Sequence, residues 1–189
     1  MSSDIKIAVT GHRPDTRYLG GYDLNSEINL KIRKLIFQFL YRFTSSNNFD
    51  EVITISGGAL GVDQMFAYEA LRLREIYKQN IKVEIAVPFK NQTTNWKPES
   101  IIFYNNILER ADKITYVDSI KKYNKNNICI GEYRAWKMQK RNEYIVDECD
   151  LLLAVYDGSP TGGTHNCVEY ARKKKKMIYY INPKDVWDM

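Results

Sequence analysis

Val52-Ile-Thr-Ile-Ser-Gly-Gly-Ala-Leu-Gly-Val-Asp63 joins a β-branched strand pattern, a glycine turn and the opening of a helical pattern without a break. The short Ile/Val run reads as a strand buried on both faces, and Ser56, Gly57, Gly58 and Gly61 follow it directly. Strand, glycine turn and helix in that order aim backbone N–H groups at an anion such as a phosphate. The pattern returns twice. Ile7-Ala-Val-Thr-Gly-His-Arg-Pro14 ends an earlier run on Gly11, His12 and Arg13. Leu151-Leu-Leu-Ala-Val-Tyr-Asp-Gly-Ser-Pro-Thr-Gly-Gly-Thr164 ends a later one on Asp157, Gly162, Gly163 and Thr164. Three such turns predict a nucleotide-sized pocket.

Outward from these turns, strand and helix patterns alternate almost throughout. Strands are predicted at Lys6–Thr10, Glu51–Ser56, Lys82–Val87, Lys113–Val117, Leu151–Val155 and Met177–Ile181. Helices are predicted at Leu24–Phe43, Gly61–Lys78, Glu99–Ala111, Trp136–Glu148 and Gly163–Lys175. In the first, Ile28, Ile32, Leu35, Ile36, Phe39 and Leu40 recur at helical spacing. The expected class is therefore α/β: a Rossmann-like, doubly wound, mostly parallel sheet of about six strands with helices on both faces. No repeat or linker divides the chain, so one domain over residues 1–189 is expected. In such sheets ligands sit outside the carboxyl ends of the strands, where all three turns fall. The longest irregular stretch, Asp118–Tyr133, is polar and tyrosine-bearing, and reads as a surface insertion or a lid.

Composition excludes several classes. With 44% hydrophobic and 27% charged residues over 189, the chain is an ordinary globular protein rather than a disordered one. No apolar run reaches the roughly 20 residues that cross a bilayer, and no signal-peptide pattern opens the chain. Cys129, Cys149 and Cys167 have no paired spacing, and no His/Cys/carboxylate cluster has metal spacing. A cytoplasmic protein with reduced thiols, no membrane partner, no metal and no resident cofactor is expected. The net charge of +5 owes much to Arg172–Lys176. Those cations suit a helix C-terminus; clustered Lys and Arg also suit polyanion contact.

Each turn carries a structural reading beside its functional one. Gly57, Gly58 and Gly61 either admit a ligand or only close a tight turn, and neither a Walker A loop nor a dinucleotide fingerprint is present. Asp63 either caps the following helix or meets a sugar hydroxyl, with Gln64 beside it as polar wall. Arg13 suits bidentate phosphate binding. His12 and His165 are either ligand contacts or structural. Pro88-Phe89 and Trp96 offer an aromatic wall for a base, or core packing.

At this point Thr10-Gly11, Ile55-Ser56-Gly57 with Gly61-Val62, Pro88-Phe89 and Asn95-Trp96 resemble the SLOG superfamily. It groups the DNA-processing protein DprA with the Lonely-guy nucleotide hydrolases, and the motifs look like its YpsA-like and YoqJ-like bacterial and phage branch. The resemblance runs from about residue 5 to residue 182 and implies a Rossmannoid fold and a nucleotide-derived ligand. Met138-Gln-Lys-Arg141 and Asp150 also match the Lonely-guy enzymes, which implies a phosphate contact for Arg141, with Asn142 beside it. The acidic pair of those enzymes corresponds here to Asn166 and Cys167, which cannot supply a carboxylate to an oxocarbenium-like transition state.

The expectation is thus a protein that senses or sequesters a nucleotide or nucleotide-derived molecule, forming a homo-oligomer such as a dimer. One alternative is a nucleoside 5′-monophosphate phosphoribohydrolase using Arg141 and Glu169. Another is single-stranded DNA binding in the manner of DprA, for which the tyrosines are spread out rather than clustered.

Overall fold

The structure, a computed structural model, describes residues 4–14, 18–46, 49–124 and 126–187; Lys125, inside the irregular stretch, lies outside them. Six strands form one sheet: β1 (Ile5–Gly11), β2 (Val52–Ser56), β3 (Ile81–Val87), β4 (Lys113–Tyr116), β5 (Leu151–Val155) and β6 (Met177–Ile181). The helices are α1 (Glu27–Thr44), α2 (Val62–Glu75), α3 (Pro98–Arg110), α4 (Ala135–Glu148), α5 (Gly163–Lys173) and a short α6 (Pro183–Trp187). Strand order is β4-β3-β2-β1-β5-β6, and every pairing is parallel.

The period of two along each strand divides the core. Ile7 and Val9 of β1, with Val83 and Ile85 of β3 and Leu153 of β5, pack with α1, α2 and α3. Ala8, Ile55, Ala86 and Leu152 point the other way, toward Tyr144 and Ile145 of α4 and Cys167 and Ala171 of α5. Burial on both faces is what the unbroken apolar runs encode. The sheet is doubly wound, and all rather than most of it is parallel.

The chain builds outward from β1 to β4, then crosses to the far side of β1 with β5. The order therefore reverses between β1 and β5, and their register pairs Gly11 with Val155. A crevice at the carboxyl ends of these two strands follows from the topology.

Element ends differ from expectation for local reasons. α2 stops at Glu75, short of Lys78, which takes a left-handed φ of 54° and cannot continue a helix. The Pro183–Trp187 helix is too short to show a periodicity. Asp118–Tyr133 begins with a 3-10 turn at Val117–Ser119. Among the described residues, no helix is long and apolar enough to cross a membrane.

Candidate functional site at the strand-order reversal

A cleft of about 370 Å³ opens between the ends of β1 and β5. Gly11, His12 and Arg13 form one wall, and Gly162, Gly163 and Thr164 form the other. Asp63 closes the floor from α2, while Arg141 and Asn142 enter from α4. Four separated stretches of sequence thus meet in one place.

Arg141 is the centre of the site. It is 6% exposed and its Nη1 donates to Asp63 Oδ2 at 2.8 Å. Its Nε is buried and has no hydrogen-bond partner among the described residues. Gly57 makes room for it: a Cβ there would lie 1.1 Å from Arg141 Nη1. Asp63 also accepts from the Ala59 N–H at 3.3 Å. Burial pushes the Asp63 carboxyl above the usual carboxylate range, and the Arg141 guanidinium opposes that rise.

The two helix N-termini at the cleft differ. In α2, Gly61 has φ 94° and ψ −128°, the Val62 N–H donates to the His12 carbonyl, and Asp63 puts a carboxylate in the first turn. That positive end already faces negative groups. In α5, Gly162 is the N-cap and no side chain caps the helix. The N–H groups of its first turn have no acceptor within the helix, and Gly162 and Gly163 are exposed. The Gly163 carbonyl is fixed by Asn142 Nδ2 at 3.2 Å. An anion is favoured at such an end by both hydrogen bonding and the helix dipole.

His12 is held by the loop after β5. Its Nε2 lies 3.2 Å from the Asp157 N–H and 3.1 Å from Asp157 Oδ1, so the tautomer selects one of the two bonds. Although burial acts to raise the Asp157 carboxyl, hydrogen bonds from Ser159 and the nearby His12 and Lys184 lower it. The turn is therefore tied to β1 through a side chain.

Other expected residues lie elsewhere. Ser56 Oγ donates to the Asp63 carbonyl at 2.7 Å and accepts from the Gly58 N–H at 3.2 Å. Gly58 sits under Tyr104 and Ile85 rather than in the cleft. Gln64 faces a neighbouring chamber beside Arg33 and Tyr68. Pro88 is buried directly after the end of β3. His165 turns from the cleft and meets the Tyr156 hydroxyl at 2.9 Å through Nδ1. Glu169 is exposed and pairs with Arg172 at 2.6 Å, outside the cleft walls. Trp96 lines a second chamber of about 580 Å³ that shares Arg13, Ala59, Leu60 and Met138 with the first.

Two of the three thiols are poor nucleophiles. Burial pushes Cys167 up to about 12 and Cys149 up to about 11, whereas Cys129 is half-buried. A thiol reagent at pH 8 is expected to modify Cys129 alone in the folded protein, with Cys149 and Cys167 following only in denaturant. Rapid titration of all three without denaturant would contradict this burial. Among the described residues, no three His, Cys, Asp or Glu side chains are placed to share a metal ion.

The basic run at the end of α5 is engaged with its own fold. Arg172 binds Glu169 and the Tyr180 hydroxyl, Lys174 pairs with Asp147 at 3.4 Å, and Lys176 donates to the Cys149 carbonyl at 2.6 Å.

A parallel, doubly wound sheet with glycine turns around a switch-point cleft defines a Rossmann-like α/β protein. Residues 7–186 match the model of the YspA SLOG family, and the chain belongs to that family. Over 119 residues it is 42% identical to the SPbeta prophage-derived protein YoqJ of Bacillus subtilis (strain 168), covering 63% of this chain and 68% of that one. It is 31% identical over 176 residues to a UPF0398 protein of Bacillus cereus (strain B4264), covering 92% of this chain and 86% of that one. A UPF0398 protein of Bacillus thuringiensis (strain Al Hakam) matches equally, at 31% over 176 residues with the same coverage.

Proposed function

We propose that the chain binds the phosphate of a nucleotide-derived small molecule in the switch-point cleft and holds it without cleaving it, as a sensor or sequestering protein. The observation that carries this reading is Arg141, a buried guanidinium whose Nε lacks a partner at the wall of a cleft beside the uncapped N-terminus of α5. A buried polar group without a partner calls for explanation, and a phosphate oxygen supplies one once the guanidinium turns toward the cleft that it lines. Arg13 adds a second cation at the same wall. The phosphate seat is thus α5 with Arg141; Gly57 serves it from behind by admitting the guanidinium.

Binding is favoured over glycosidic cleavage because no unpaired carboxylate lines the cleft among the described residues. Asp63 is committed to Arg141, Glu169 lies outside the cleft walls, and Asn166 and Cys167 carry no charge there. The prophage derivation of YoqJ supports the sequestering form of the reading.

Native mass spectrometry of the purified protein, with a melting screen against a nucleotide panel, tests the proposal. A ligand present at 100 times its Kd is expected to stabilise the fold by about 2.7 kcal/mol and to be released intact on denaturation. No shift with any phosphorylated member of the panel would overturn phosphate binding. Accumulation of free base on incubation would overturn the non-catalytic form.

A further inference from the structure

The second chamber has walls unlike those of the first. Tyr22, Trp96 and Tyr133 line it, together with the amide side chains of Asn91, Gln92 and Asn95. Trp96 is fixed edge-on to Tyr104 with ring centroids 5.3 Å apart, and Tyr133 is fixed edge-on to Phe89 at 5.6 Å. Tyr133 is nonetheless 62% exposed. Large aromatic surface left in contact with water beside polar amides is what a flat heteroaromatic ring recognises.

The wall bearing Tyr133 is anchored internally. Lys137 and Asp118 are each 1% exposed and paired at 2.8 Å. The ammonium also donates to the Cys129 carbonyl at 2.5 Å and the Glu132 carbonyl at 2.9 Å, while the Gly131 N–H donates to Asp118 Oδ2 at 2.8 Å. All three lysine donors are used. The end of the irregular segment is thereby fastened to α4, the helix that carries Arg141.

We propose that this aromatic chamber seats the base of the same ligand, so that the cleft takes a nucleoside 5′-phosphate, with the base against Tyr133 and Trp96 and the phosphate at Arg141 and α5. The inference rests on the phosphate reading above. The two chambers meet at Arg13, Ala59, Leu60 and Met138, and the ribose spans that junction. Tyr133 contributes a stacking face rather than a hydrogen bond.

Calorimetric titration of the full chain with ribose 5-phosphate, AMP and GMP distinguishes the two subsites. At least one mononucleotide is expected to bind the wild type about tenfold or more tightly than ribose 5-phosphate, a gain typical of base–aromatic stacking. Tyr133→Ala is expected to remove that advantage and leave ribose 5-phosphate affinity unchanged, whereas Tyr133→Phe retains it. Equal binding of ribose 5-phosphate and both nucleotides by the wild type would overturn the base seat while leaving the phosphate reading intact. So would Tyr133→Ala binding the mononucleotide as tightly as the wild type does, or losing affinity for both ligand kinds alike. Binding of none of the three probes would overturn both.

Discussion

Arg141→Ala is expected to abolish phosphate binding and to lower unfolding free energy by about 3–5 kcal/mol, because it leaves a buried charge without its partner. The stranded group is Asp63, which is 7% exposed and paired with Arg141 at 2.8 Å in the native protein. Urea unfolding of the two proteins measures the loss. Adding Asp63→Asn to the variant is expected to recover much of the stability and none of the binding.

The pH dependence has a definite sign. Burial already raises the Asp63 carboxyl above its ordinary value of 3.8, and Arg141 opposes the rise. Without Arg141 the folded-state value climbs further, so the folded variant binds a proton more readily than the unfolded chain. A group with a raised folded value favours the native state most at low pH and loses that contribution as pH rises. The stability gap between variant and wild type should therefore narrow on acidification from pH 7 toward pH 4. A constant gap would mean that Asp63 is not the stranded charge. Gly57→Ala must also expel the guanidinium, since its Cβ would lie 1.1 Å from Nη1. Because both substitutions break the same contact, the Gly57→Ala/Arg141→Ala double variant is expected to lose less than the sum of the singles.

Gly61→Ala is the second large effect, at about 3 kcal/mol. The backbone conformation at Gly61, φ 94° and ψ −128°, is closed to residues bearing a Cβ, and such strain costs of order 1–3 kcal/mol. The new Cβ would also lie 2.6 Å from the His12 carbonyl oxygen and 3.2 Å from Arg13 Cα. Main-chain atoms cannot swing aside as a side chain can, so His12 and Arg13 must move with β1's end. Ligand affinity is expected to fall together with stability, as read by denaturant unfolding and titration. A loss below about 1 kcal/mol would show that the turn relaxes freely.

Much of the frame is legible in short-range pattern. Leu151–Val155 and Met177–Ile181 are found at the expected ends, because apolar runs bounded by turn residues mark parallel strands strongly. The place of the cleft is legible too, since glycine turns at strand ends and the carboxyl-end rule agree. Its inner contacts are not. Nothing near Gly57 announces a guanidinium from α4, because the contact spans distant sequence. Lys137 stands between Trp136 and Met138, and periodicity does not distinguish the buried Lys137 from the half-buried Lys140. His165 and Glu169 lie on the correct helix, but Tyr156 and Arg172 claim them. Side chains of this kind are assigned by their competitors in space, which local sequence does not state.

The position of Lys137 one turn before Arg141 on α4 sets a fixed gauge. Because the lysine holds the Tyr133 wall and the arginine stands at the proposed anion seat, the spacing between ring and anion would be built into one rigid helix. On the proposed reading, the protein then selects ligands by their length. A mononucleotide has a set reach from base to phosphate, and a molecule with an added or missing linker atom must forfeit one end or the other.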